Sequence, residues 1–169
     1  GERPAVGRAH YLRYSGPRSA ATWVSSGIRV DETLGYPDAV GFRAGIAGPY
    51  RLRPGGAPPL IEIPLAVMDG PLLAGTDPLA AVDRFAGLLD HVGRVGGLLS
   101  LLFHPGVFDN PEFATARFVY RQLLEVARRA RAQSVTSVDV LGRPVYRRPP
   151  HHQHQPALED EPLPTWRHR

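Results

Sequence analysis

Three observations predict an α/β fold. Between residues 60 and 132 extended and helical patterns alternate as strand, helix, strand, helix, the order expected when consecutive strands lie parallel. The second of those strands, GLLSLLFH (97–104), is apolar almost throughout and flanked by Gly and Pro, the pattern of a strand buried on both faces. The chain has 169 residues, 43% of them hydrophobic and 21% charged, enough for one domain with its own core.

The elements follow from local signals. Residues 1–59 are rich in Gly, Pro and aromatics, with a short helix expected around Ala20 to Ser26 and a short extended run in GIRVD (27–31). LIEIPLAVMD (60–69) is the first convincing strand, Ile61, Ile63 and Leu65 alternating with Leu60, Glu62 and Pro64. Pro64 has no N–H to give, which implies an edge or a bend at that point.

From Pro78 to about Val95, Leu79, Val82, Phe85, Leu88, Leu89 and Val92 recur at helical spacing. Asp77 before Pro78 reads as an N-cap followed by proline at the first helical position, and Gly96-Gly97 ends the helix. Asn110-Pro111-Glu112 is expected to open a long helix to about Ala132, with Phe113, Ala116, Val119, Tyr120, Leu123, Leu124 and Ala127 on one face. SVTSVDVLG (134–142) reads as an uncertain, extended extension. The segment from about 147 onward, rich in Pro, His and charge, is expected to be a disordered tail.

Composition excludes several chemistries. With no cysteine there is no disulfide, zinc–thiolate site or cysteine nucleophile in these residues, and all 20 basic residues are arginine, so lysine Schiff-base chemistry is absent too. A net charge of +4 comes from scattered arginines rather than a basic stripe interleaved with aromatics, which argues against nucleic acid as a partner. No apolar run approaches the ~20 residues of a membrane span, and GERPAVGRAHYLRY lacks the apolar stretch of a signal peptide, leaving the compartment open. A chain that opens on Gly1 and whose one methionine is Met68 is expected to be a piece of a longer protein.

Functional side chains in parallel α/β proteins gather just past the carboxyl ends of the strands. His104 stands there, after the apolar run and before Pro105-Gly106; it is either a packed histidine bonded to backbone or a group placed to move a proton. Asp31 closes GIRVD and Glu62 interrupts LIEIP, each carboxylate among apolar neighbours; for Glu62 the plain alternative is an edge-strand charge turned to solvent. Arg8 and Arg43, near glycines, are either surface residues or braces for a carboxylate. His151, His152 and His154 lack the one-face spacing of a helical metal site and read as incidental.

Taken in order, RAHYLRY (8–14), GIRVDETLGY (27–36), VGFRAG (40–45), PY (49–50), LIEIPLAVMDG (60–70) and LLFHP (101–105) resemble the later half of polysaccharide deacetylases, the NodB-like family 4 carbohydrate esterases. The resemblance spans about residues 5–130. It implies the C-terminal part of a distorted (β/α) barrel over residues 1–133, an N-acetyl-sugar or glycan substrate, and hydrolysis dependent on a divalent metal such as zinc. Leu102-Phe103-His104 matches the motif that carries the catalytic acid. Arg8 matches the arginine that braces the catalytic aspartate, and Asp31 is the nearest match to the carboxylate that orients the histidine. Arg43, Tyr50 and Glu62 stand as candidate substrate contacts.

In that family a metal polarises the acetyl carbonyl and activates water, an aspartate takes the proton, and a histidine protonates the departing amine. The motifs that supply the aspartate and the metal ligands are missing: no Asp-Asp pair occurs, and no two histidines lie four residues apart. The resemblance therefore implies a chain that holds the acid half of the site, is inactive alone, and has a missing N-terminal segment as its partner. The alternative is a non-catalytic carbohydrate-binding or assembly remnant of the same fold.

Overall fold

The computed structural model describes residues 5–53, 58–109 and 113–142. Its strands are β1 (Val6–Gly7), β2 (Val30–Asp31), β3 (Tyr50–Leu52), β4 (Leu60–Glu62), β5 (Leu65–Met68) and β6 (Ser100–Leu102). Its helices are α1 (Pro17–Ser25), α2 (Asp69–Leu73), α3 (Pro78–Val95), α4 (Gly106–Asp109) and α5 (Ala114–Arg129). The result is a mixed α/β protein with two small sheets. One sheet has the order β1-β2-β4-β3, with β1, β2 and β4 parallel and β3 antiparallel; the other pairs β5 with β6 in parallel.

The long strand expected over 60–69 is two strands in two sheets. The bend falls at Ile63-Pro64, where proline cannot continue a ladder. After the bend, Leu65 donates its N–H to the Leu34 carbonyl and bridges to Gly35. A Cβ on Gly35 would lie 2.8 Å from the Leu65 Cβ and 2.9 Å from its carbonyl oxygen, so only glycine allows this approach. Residues 60–67 are buried on both alternating faces, so strand alternation here separates two cores rather than core from solvent.

The helix over 78–95 forms as its sequence predicts. The Asp77 carboxylate accepts from the N–H groups of Leu79 and Ala80, Pro78 occupies the first turn, and Gly96 closes the helix in the left-handed conformation at φ 64°. Ala81, Phe85 and Val92 are its buried residues, while Leu79 lies outside the stripe and is exposed. α5 packs beside α3 with Ala116, Val119 and Leu123 inward, and Val119 and Leu123 join Ala66, Val67, Leu72, Ala81 and Phe85 in the largest core cluster. The expected opening of α5 at 110–112, and the tail from 147 with His151, His152 and His154, lie outside the described residues.

Two expectations change. β6 is half-buried rather than enclosed on both faces. Leu99, Leu101 and Phe103 pack on the α3–α5 core, but among the described residues no strand lies beyond β6, and its other side borders a cleft. That cleft, about 1260 Å³, is lined by Arg8, Glu32, Ile63 and Leu98 to Leu101 together with residues of α3 and of 130–137. β1 is likewise outermost in its sheet among the described residues.

Residues 137–142, expected as part of a strand, form a 3-10 turn instead. Asp139 accepts from the Thr136 N–H and hydroxyl, a local side-chain bond that favours a turn over a ladder. The turn drops Val140 into a cluster with Val30, Ile61 and Ile63.

Candidate functional site

β5 and β6 run parallel with Met68 opposite Leu102, so the residues that follow each strand emerge side by side. After β5 comes Asp69, the first residue of α2; after β6 and Phe103 comes His104. The Asp69 carboxylate is 4% exposed as a residue and clamps the histidine twice. Its Oδ2 accepts the His104 backbone N–H at 2.8 Å, and its Oδ1 lies 2.8 Å from the ring Nδ1. The Gly70 N–H also donates to Oδ1 at 2.8 Å, fixing the carboxylate from its own side.

A carboxylate accepts, so its place at Nδ1 assigns the proton to that nitrogen and leaves Nε2 as the working atom. The His104 side chain is 62% exposed, whereas that of Asp69 is 6% exposed. A buried anchor thus holds an accessible ring, the arrangement that general acid–base chemistry needs.

A second pair occupies the other sheet. Asp31 and Glu62 are register partners on parallel β2 and β4, so their side chains share a face, and neither has exposed surface. The Thr33 N–H donates to Asp31 Oδ1 and the Leu34 N–H to Glu62 Oε1, each at 2.9 Å. The remaining oxygens, Asp31 Oδ2 and Glu62 Oε2, are buried with no donor among the described residues. Burial, and then the neighbouring Asp31 charge, push the Glu62 carboxyl up to about 9; burial also raises Asp31. Two adjacent buried carboxyls cannot both carry charge at modest cost, and one proton held between them satisfies both orphan oxygens.

The expected site residues therefore separate into two groups. His104 stands in an open position, and its orienting carboxylate is Asp69; Asp31, matched to that role by resemblance, is instead committed to Thr33 and Glu62. Glu62 does not turn to solvent, because β4 is flanked by β2 and β3 rather than forming an edge. Tyr50 lies opposite it on β3 and is 3% exposed, so two of the three candidate substrate contacts are enclosed. Arg8 braces a carboxylate, but that of Glu32: Nη2 donates to Oε2 at 2.7 Å and Nε to the Glu32 carbonyl at 3.1 Å. Ser137 donates to the other Glu32 oxygen. Arg43 reaches the Gly35 carbonyl at 3.4 Å.

Asp69 is the member of this candidate site that sequence reasoning missed. The signal was present in LAVMDG, a carboxylate directly after an apolar strand, the same placement that singled out His104. Among the described residues no group of three or more His, Asp or Glu side chains converges to hold a metal ion, and no helix is long and apolar enough to cross a membrane. No protein-family model, curated protein or solved structure matches this chain.

Proposed function

We propose that this chain carries the proton-donating half of a hydrolase that cleaves N-acyl groups from amino sugars, as the C-terminal portion of a polysaccharide-deacetylase-type barrel. The observation that carries the reading is the His104–Asp69 pair at the neighbouring ends of two parallel strands. In the imidazolium state Nε2–H faces outward, and Asp69 at Nδ1 stabilises the positive charge. As the C–N bond of the amide breaks, Nε2 passes its proton to the nitrogen, which leaves as a neutral amine.

No group of three or more His, Asp or Glu side chains converges among the described residues, and in this reading the water-activating half is supplied by groups outside them. β1 and β6 are outermost in their sheets among the described residues, which supports this reading, since further parallel strands beyond them would close the sheets toward a barrel.

The test is to co-express the chain with the polypeptide encoded directly upstream of Gly1 and measure acetate release from N-acetylglucosamine oligomers with zinc added. Release that depends on His104 is expected. A soluble, metal-loaded assembly with no release, or with release unchanged by His104→Ala, overturns the proposal.

A further inference from the structure

On one face of the first sheet, Ala20 of α1 and Ile28 pack on Leu60. The opposite face carries Val30 and its register partner Ile61, with Ile63 two residues further on. Val140 packs on these three side chains and is 1% exposed, and Leu141 packs at the edge of the same cluster. Both belong to residues 134–142, the stretch whose sequence reads as a strand and which forms the 3-10 turn over 137–142.

This cover is thin. Ser134, Thr136 and Asp139 are exposed, and Val138 is 54% exposed. The segment is fastened to the sheet through Val140, Leu141 and the Ser137 hydroxyl, which donates to a Glu32 carboxylate that Arg8 also holds. Beside it opens the cleft of about 1260 Å³, lined by residues 130–137 and by Val140 itself. A packed interior leaves few voids larger than a water molecule, so one valine and one leucine do not complete this core as a second layer would.

From this thin, side-chain-held cover beside an open cleft, we infer that residues 134–142 are a displaceable strap. It shields Val30, Ile61 and Ile63 while the chain is alone, and gives way when a strand of the upstream polypeptide, with apolar side chains alternating inward, comes to cover that face. The inference rests on the reading of the chain as the later part of a barrel, and adds to it a competition within the chain. Shielding keeps an apolar sheet face from drawing copies of the chain together. Release leaves the rest intact, since Glu32 keeps Arg8 and α5 stays packed on α3. Because only the unstrapped fraction can accept the partner, anything that weakens the strap raises the apparent affinity for it.

The sequence has no cysteine, so Val140→Cys gives the strap a single thiol. Its labelling by iodoacetamide, read by mass spectrometry of this chain, should be at least tenfold faster in the co-expressed assembly with the upstream polypeptide than in the chain alone. At limiting concentration, Val140→Asp should raise capture of that polypeptide at least tenfold and Ser137→Ala about twofold, while Val138→Asp, at an exposed position, leaves capture unchanged. Equal labelling rates in the two states, capture raised by neither Val140→Asp nor Ser137→Ala, a rise with Val138→Asp equal to that with Val140→Asp, or no assembly at all overturns the inference. Acetate release from an assembly whose thiol stays slow overturns the strap alone, whereas fast labelling without acetate release counts against the catalytic reading alone.

Discussion

Two pairs of ionisable side chains gather at the ends of neighbouring parallel strands, and they have opposite fates. Asp69 and His104 follow β5 and β6, where the chain opens toward solvent and an apolar cavity. Asp31 and Glu62 end β2 and β4, where Thr33 and Leu34 fold back over them and supply their N–H groups. The first pair combines a cation-forming group with an anion-forming one, so burying the carboxylate still leaves an exposed partner able to gain and lose a proton. The second combines two acids, and their enclosure traps a proton. A strand end thus concentrates reactive groups, but access and the sign of the partner decide whether the pair stays open to solvent or is locked into the core.

Substitutions should separate the two pairs. The largest effect is expected from His104→Ala in the co-expressed assembly, a loss of ~10²–10⁴-fold in acetate release, the usual contribution of a positioned acid. Because the ring is mostly exposed, the same substitution should change unfolding free energy by less than about 1 kcal/mol. Equal losses of activity and stability would erase the distinction between the pairs.

Glu62→Ala should behave in the opposite way. It leaves a cavity and strips the Leu34 N–H of its acceptor, for an expected cost of about 2–4 kcal/mol in urea denaturation. A neutral result would mean that the carboxyl pair contributes no net structure.

The pH dependence sharpens the comparison further. Glu62 is raised from an ordinary value of 4.5 to about 9 in the fold, so between those values the folded chain keeps a proton that the unfolded chain has released. Its contribution is complete below pH 4.5 and is lost as pH rises through 9, at a slope of at most ~1.4 kcal/mol per pH unit. Glu62→Gln keeps a donor toward Asp31 at every pH and should flatten the fall in stability between pH 6 and 9. Parallel pH curves for the two proteins would rule out the shared proton.

The smallest effect is expected from Asp69→Asn. It retains one acceptor, enough for the Gly70 or the His104 amide but not both, and should cost about 1 kcal/mol of stability while disordering the ring. Thermal melts and the His104 ring resonances would check the two parts separately.

The features legible in the sequence are those set by neighbours within a few residues. The Asp77–Pro78 start and Gly96 stop of α3 are local capping chemistry, and the bend at Pro64 follows from one missing N–H. His104 was recognisable because a polar residue after an apolar strand has a definite place in a parallel sheet. What escaped depends on contacts far apart in the chain. That Glu62 is enclosed is decided by β2 and β3 on either side of it, whose register partners Asp31 and Tyr50 lie 31 and 12 residues upstream and are invisible to alternation. Asp69 reaches His104 across 35 residues, through a strand register that no local pattern encodes. The 137–142 turn misled because its valines satisfy a strand pattern, whereas Asp139 bonding Thr136 and the burial of Val140 favour the compact form.

The central claim is that Asp69 holds His104 with Nδ1 protonated and Nε2 directed outward. The ¹⁵N shifts of the His104 ring nitrogens in the neutral state test it on the chain as it stands. An Nδ1–H tautomer is expected, giving way to a mixture in Asp69→Asn. An Nε2–H tautomer, or a ring unaffected by Asp69→Asn, would contradict it.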